Sequence, residues 1–301
     1  MQPPYLTSGS LIGITCPAGY VSHERVEGAV TILELWGFRV RLGATVGSEY
    51  HYFSGTDARR LADLQSMMDD PEVAAILMGR GGYGMSRIID GLSLDAFSRH
   101  PKWICGFSDI TVLHSHLQAQ LGAHTLHSPM CGAFRGSTAA QPHILSLRAQ
   151  LLGQPVSYEI DPSPFNRVGE VTAPLTGGNV AILAHLTGSV SEVDTDGRIL
   201  FIEDVGEHLY NIDRLLLNLK RAGKLQRLAA LLVGSFTELQ DTARSFGQTV
   251  EEIIADKVAE YDYPVCFGFP CGHQEVNYAL RLGAVHTLSV TGTGSRLTLQ
   301  S

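Results

Sequence analysis

The chain has 301 residues, of which 44% are apolar and 17% charged, and its formal net charge is −8. At roughly 150 residues per domain this length suggests about two domains, each with enough apolar residues for a core. The acidic balance, spread along the chain without long runs, argues against nucleic acid as a partner, because phosphate binding needs a basic patch. Five cysteines, Cys16, Cys105, Cys131, Cys266 and Cys271, show no CxxC spacing. Neither a disulfide framework nor a zinc knuckle is expected from them, and reduced thiols suit a cytoplasmic protein. Met1 to Ser10 has no basic segment followed by a long apolar one, and no apolar stretch approaches the roughly 20 residues of a membrane helix. Neither a signal peptide nor a membrane partner is expected.

The first half reads as strand alternating with helix. Leu11 to Cys16 is an apolar strand run, and Pro17-Ala18-Gly19 is a turn. Ser22 can cap a helix whose apolar residues fall at Val26, Ala29, Val30 and Leu33, the i, i+3, i+4, i+7 pattern, with Gly37 as its stop. Phe38, Val40 and Leu42 alternate as the next strand. Thr56 or Asp57 caps a helix carrying Leu61, Leu64 and Met68, and Val73 to Met78 forms a third strand. Strands separated by helices predict an α/β fold with a parallel sheet, whose ligands bind beyond the carboxyl ends of the strands. Residues 1–152 are read as this first domain. Gly153 to Asn166, with Pro155, Pro162 and Pro164, reads as a linker. Residues 167–301 read as a smaller, β-rich α/β domain with strands at Arg198–Glu203, Ala229–Val233 and Arg296–Leu299.

Four segments can carry chemistry. In Trp103-Ile104-Cys105-Gly106-Phe107-Ser108-Asp109 a strand enters a sharp turn and a helix leaves it. Such a turn exposes Ser108 as a nucleophile elbow does, although Ile110 stands where a second glycine is usual. The N–H of Asp109 would then face a developing oxyanion. The other reading of Ser108 is a plain helix cap, since Ser before Asp is common at a helix start. Gly79-Arg80-Gly81-Gly82-Tyr83-Gly84 follows a strand directly, and its glycines allow close backbone approach to a ligand. Its GxGGxG order is neither the dinucleotide fingerprint nor a phosphate loop. It can lend an N–H to an oxyanion hole or be a plain tight turn. The strand Ile199 to Glu203 ends in a carboxylate that could orient a histidine, or belong to an acidic loop before the next helix. Phe267 to His273 is a Gly- and Pro-rich loop, but twelve histidines leave the choice of a base open. His114 and His116, two apart on a helix, point roughly 200° from each other, so a metal cluster is not expected there.

Taken in order, these segments resemble the motifs of the LD-carboxypeptidase family. The resemblance adds Leu175-Thr176-Gly177-Gly178-Asn179 and Asn211-Ile212-Asp213-Arg214, and runs from Cys16-Pro17-Ala18-Gly19 to Leu282-Gly283-Ala284. It implies a flavodoxin-like N-terminal domain and a catalytic triad of Ser108 as nucleophile, Glu203 as acid and His273 as base, the last two from the second domain. It further implies an oxyanion hole from the backbone N–H groups of Gly81 and Asp109. Arg80, Gly82 and Asn179 are expected to bind substrate, Arg80 through the substrate's terminal carboxylate. No metal and no organic cofactor is implied.

Two branches of the family differ in substrate. One releases terminal D-alanine from murein tetrapeptide by cleaving an L–D bond in the cytoplasm, often as a homodimer. The other, the microcin-C immunity type, cleaves aminoacyl-nucleotide analogues and stacks a tryptophan on the base. The only tryptophans here, Trp36 and Trp103, lie in the first half, which favours the murein branch. A non-catalytic ligand-binding protein on the same scaffold is the alternative from another class, and intact Ser108, Glu203 and His273 count against it.

Overall fold

The computed structural model describes residues 1–300, and the chain forms two compact units. The first unit comprises Met1–Gln154 and Tyr278–Arg281. Its strand β1 (Leu11–Thr15) leads to helix α1 (His23–Leu35), whose N-cap Ser22 accepts the Arg25 N–H. Strand β2 (Arg39–Leu42) and helix α2 (Asp57–Asp69) follow, with Thr56 as the α2 cap. Next come β3 (Val73–Met78), the short α3 (Asp95–Arg99), β4 (Trp103–Gly106), α4 (Thr111–Leu121), β5 (Thr125–His127) and α5 (Pro142–Leu151).

The strand order is 2-1-3-4-5, all parallel where these five pair, which is the flavodoxin-like order expected from the sequence. β1, β3 and β4 are almost wholly apolar because helices cover both faces of the sheet. Val26, Ala29, Ile32 and Leu33 of α1 pack with Ile12, Ile14, Ala75, Leu77 and Trp103 in one core.

The second unit comprises Pro155–Asn277 and the chain from Leu282 onward. In order it holds β6 (Ser157–Ile160), β7 (Gly169–Asn179), α6 (Val180–Leu186), β8 (Ile199–Val205), α7 (Leu209–Arg221), β9 (Ala230–Thr237), α8 (Val250–Lys257) and β10 (Val265–Cys266). A late strand, β11 (Leu280–Leu282), lies beside β5 at the edge of the first sheet. The hairpin β12 (Val285–Thr291) and β13 (Gly294–Leu299) completes the chain. The second sheet runs β10-β9-β8-β7-β12-β13-β6, parallel from β10 to β7 and antiparallel from β7 to β6. No helix among the described residues is long and apolar enough to cross a membrane.

Two features differ from the sequence expectation. The segment 153–166, expected as a linker, contains β6, in which Tyr158 and Ile160 are buried while Ser157 and Glu159 face outward. The flanking prolines disguise that alternation. The eleven-residue β7 was not anticipated either, because Pro174 and the Gly177-Gly178 pair interrupt its apolar pattern.

Gly177 shows how closely β7 and β8 approach. Its φ is +129°, and a Cβ there would overlap the backbone of Phe201 on β8. Gly188 also has a positive φ, +82°, but open space around it. Gly177→Ala is therefore expected to destabilise the chain by about 2 kcal/mol or more, and Gly188→Ala by only about 1 kcal/mol. Urea unfolding midpoints measure the difference, and equal shifts for the two variants would contradict it.

Candidate functional site

In the first unit the site grows from the carboxyl ends of β3 and β4, adjacent strands in the sheet. β4 ends at Gly106, and Ser108 opens a single tight turn, Ser108–Ile110, before α4. Ser108 is half-buried, and its φ is +64°, in the left-handed region. Only His51 and Glu238 share a positive φ among the described non-glycine residues. For an L-residue that conformation costs about 1–2 kcal/mol, so it persists only where the surroundings enforce it. The N-cap positions of this turn and of α4 are Phe107 and Ile110, neither of which makes a side-chain cap bond.

The glycine loop after β3 lies against this serine. A Cβ built on Gly81 would stand 2.9 Å from Ser108 Cβ and 3.2 Å from its Oγ, so only glycine brings the backbone this near. The Gly81 carbonyl accepts the Gly19 N–H at 3.0 Å, which ties the loop to the turn after β1. Gly82 has φ +102°, and a Cβ there would meet the Tyr52 hydroxyl at 2.6 Å. Arg80 is exposed, and its Nη1 donates to the Tyr20 carbonyl at 3.0 Å. Asp109 is buried, and its Oδ2 accepts the Met85 N–H at 2.7 Å.

His114 of α4 does structural work. Burial pushes His114 down to about 4, so its ring is neutral, and Nε2–H donates to the Gly106 carbonyl at 2.8 Å. This steadies the end of β4. Among the described residues no group of His, Cys, Asp and Glu could hold a metal ion.

In the second unit, Glu203 sits fully buried on β8, and its Oε2 is 2.7 Å from His273 Nδ1. A carboxylate oxygen can only accept, so Nδ1 carries the proton and Nε2 is the basic nitrogen. The loop bearing His273 crosses directly over Glu203 because residue 272 is glycine. A Cβ there, at φ +121°, would lie 2.8 Å from Glu203 Oε2 and 2.5 Å from Ser235 Oγ. Two residues that the sequence did not single out hold this loop. Thr237 Oγ1 donates to the His273 carbonyl at 2.7 Å, and Asn277 Oδ1 accepts the Gly272 N–H at 3.0 Å. Nothing in the local sequence marks Thr237, whose partner lies in another element, while Asn277 bonds back to Gly272 within the same loop.

Asn179 ends β7 directly opposite Glu203 in the β7–β8 register. It is buried, its Oδ1 caps α6 through the Ile182 N–H, and its Nδ2 donates to Asp204 Oδ1 at 2.9 Å. Both ends of its amide thus serve the fold. Asp204 Oδ2 also accepts the Ala181 N–H at 2.9 Å. Burial, with a smaller push from the Glu203 carboxylate, raises Asp204 to about 6.

Comparison with known proteins adds to this geometry. Residues 12–128 match the LD-carboxypeptidase N-terminal domain and residues 172–288 the LD-carboxypeptidase C-terminal domain. The probable murein peptide carboxypeptidase of Bacillus subtilis (strain 168) is 34% identical over 286 residues, covering 94% of this chain and 90% of that protein. The crystal structure of muramoyltetrapeptide carboxypeptidase from Oxalobacter formigenes superposes with a TM-score of 0.87 at 27% identity, over 97% of this chain and 99% of the other. A microcin C7 self-immunity protein, solved with aspartyl sulfamoyl adenosine, also reaches 0.87, at 22% identity over 100% of this chain and 99% of the other. That last likeness is one of fold.

The raised acid beside the Glu203–His273 pair has a consequence for stability. Asp204 ionises near 6 when folded, against an ordinary 3.8. Between those values the folded chain keeps a proton that the unfolded chain has lost, so this group's contribution to stability falls as pH rises from about 4 to 6 and stays lower above. Asp204→Asn cannot ionise and escapes that loss. Relative to the unmodified chain the variant is expected to gain about 2 kcal/mol between pH 4 and pH 7, on top of any constant offset. Urea unfolding at several pH values measures this, and a pH-independent difference would contradict it.

Proposed function

The chain belongs to the LD-carboxypeptidase family, and on that premise we propose that it is a serine carboxypeptidase that releases terminal D-alanine from murein tetrapeptide by hydrolysing an L–D peptide bond. The observation that carries this reading is Ser108, held left-handed at the end of β4 with the Gly81 backbone against its side chain. A serine displayed on a strained strand-to-helix turn beside backbone donors is the arrangement that acyl transfer needs.

In the proposed reaction His273 Nε2 takes the proton from Ser108 Oγ as the oxygen attacks the scissile carbonyl. Glu203 fixes the imidazole tautomer through Nδ1 and stabilises the cation that forms. The backbone N–H groups of Gly81 and Asp109 receive the oxyanion. Collapse expels D-alanine, whose amine takes the proton from His273, and water then releases the acyl group by the same steps in reverse. Arg80 is the candidate for the substrate's terminal carboxylate, and Gly82 lies beside the approach. Asn179 is the further candidate for substrate binding, and its bonds to Ile182 and Asp204 hold its amide in place. No metal or organic cofactor enters this scheme. The five cysteines form no disulfide among the described residues and are all buried, which suits a reducing compartment, and we take the enzyme to work in the cytoplasm as a homodimer, the assembly the family resemblance implies.

Hydrolysis of aminoacyl-nucleotide analogues is the second reading, supported by the fold likeness to the microcin C7 self-immunity protein. Mass spectrometry of murein tetrapeptide after incubation with the enzyme separates the two. The expected result is loss of one D-alanine, no loss from the epimer ending in L-alanine, and little cleavage of the pentapeptide's D–D bond. Inverting the terminal α-carbon while its carboxylate stays anchored moves the carbonyl out of line with Oγ and the hole, so kcat/KM falls. Ser108→Ala is expected to lose at least about 10³-fold in turnover. Equal hydrolysis of the two epimers, or cleavage of an acyl sulfamoyl adenylate alone, would overturn the murein assignment.

A further inference from the structure

A loop with four glycines in six residues does not hold its own shape, because glycine backbone is the most mobile of any residue. Yet the proposed oxyanion donor on Gly81 is useful only if it stays fixed to within a fraction of an ångström. Three of the contacts that restrain the loop matter here. Gly81 accepts the Gly19 N–H, and Gly84 accepts a guanidinium N–H from the fully buried Arg60 at 3.0 Å. Both of these tie it to parts of the fold other than the Ser108 turn. The third is different: the Met85 N–H, at the loop's exit, donates to Asp109 Oδ2 at 2.7 Å. Asp109 is the residue next to Ser108, so this bond couples the glycine loop to the turn that carries the serine.

We infer that the Asp109 side chain is a positioning residue, whose carboxylate sets the distance between the Gly81 N–H and Ser108 and thereby keeps the oxyanion hole in register. The inference rests on the serine-peptidase reading above, and it adds to the Asp109 backbone N–H a separate duty for its side chain. Three observations support it. Asp109 is 1% exposed, an unfavourable place for a carboxyl group unless the group is used. Its oxygen reaches across to another loop and does not cap α4. Its second oxygen, Oδ1, is buried with no hydrogen-bond partner, so the side chain is placed for the Met85 bond and not for its own solvation. Burial accordingly raises the group to about 6, with the Met85 N–H, Arg60 and the Gly84 N–H opposing that rise. What the loop needs from Asp109 is an acceptor at this spot, which an amide oxygen can also supply.

The test compares Asp109→Ala with Asp109→Asn in steady-state hydrolysis of murein tetrapeptide, with circular dichroism and thermal unfolding to give the folded fraction. Asp109→Ala is expected to lower kcat per folded molecule about 100-fold with KM changed less than about threefold, the pattern of a lost oxyanion donor. Asp109→Asn keeps the acceptor and is expected to hold kcat within about tenfold of the unmodified enzyme. If Asp109→Ala does not fold, Asp109→Ser, which leaves a smaller void, takes its place with the same expectation. A kcat within about threefold of normal in the folded Ala or Ser variant, or equal damage from Asn and Ala, would overturn the inference. Ser108→Ala run in parallel separates the two levels. An inactive Ser108→Ala beside a normal Asp109→Ala sinks the positioning role alone, whereas an active Ser108→Ala sinks the serine mechanism and this inference with it.

Discussion

The backbone at Ser108 is the constraint from which the rest of the first unit follows. A left-handed L-residue is unfavourable, so β4 must deliver the chain to that point rigidly and α4 must carry it away at once. β4 achieves this as a central, fully buried strand between β3 and β5, with the neutral ring of His114 holding its last carbonyl. The sharp turn lifts the serine side chain toward the loop after β3, where any residue but glycine at position 81 would collide with it. The strain at 108 and the missing side chain at 81 are thus two halves of one arrangement. Either alone would be a local oddity; together they leave a hydroxyl facing backbone.

A similar exchange of side chain for proximity occurs in the second unit. Glu203 is fully buried, where an isolated carboxylate is expensive unless it is matched by a donor. His273 supplies that donor, and it reaches Glu203 only because the preceding glycine lets its loop pass within contact of the carboxylate. Thr237 and Asn277 hold that loop by its backbone, which helps to fix the imidazole. A histidine set by its neighbours in this way presents one tautomer, the condition for a directional proton transfer.

Much of this was legible in the sequence where the signal is local. The helical period with a cap at Ser22, and the apolar runs of β1 and β3, gave the alternating fold of the first unit, because strand, helix and cap are each decided within a few residues. Glycines 79 to 84 and the Gly106-Phe107-Ser108 step stood out because glycine clusters mark places where backbone must come close. The choice of His273 among twelve histidines, and of Glu203 on β8 as its acid, came from family resemblance, and the fold adds the 2.7 Å contact between them. β6 escaped notice because prolines surround its alternation, and β7 because Gly177 and Gly178 break its pattern in favour of close packing on β8. The Asp109–Met85 bond spans 24 residues, and the bond from Thr237 to the His273 loop likewise joins different elements. Such contacts have no periodic trace in the chain and appear only when the fold brings their ends together.

The account stands on the claim that Ser108 is an activated nucleophile. Reaction with a fluorophosphonate, followed by peptide mapping, addresses it most directly, because the reagent bonds fastest to a serine oxygen whose proton is being taken and whose adduct the hole can hold. The account predicts a single adduct, on the peptide carrying Ser108, forming in step with the loss of carboxypeptidase activity. Full activity after exhaustive treatment, or an inactivating adduct on another residue with Ser108 unmodified, would contradict it.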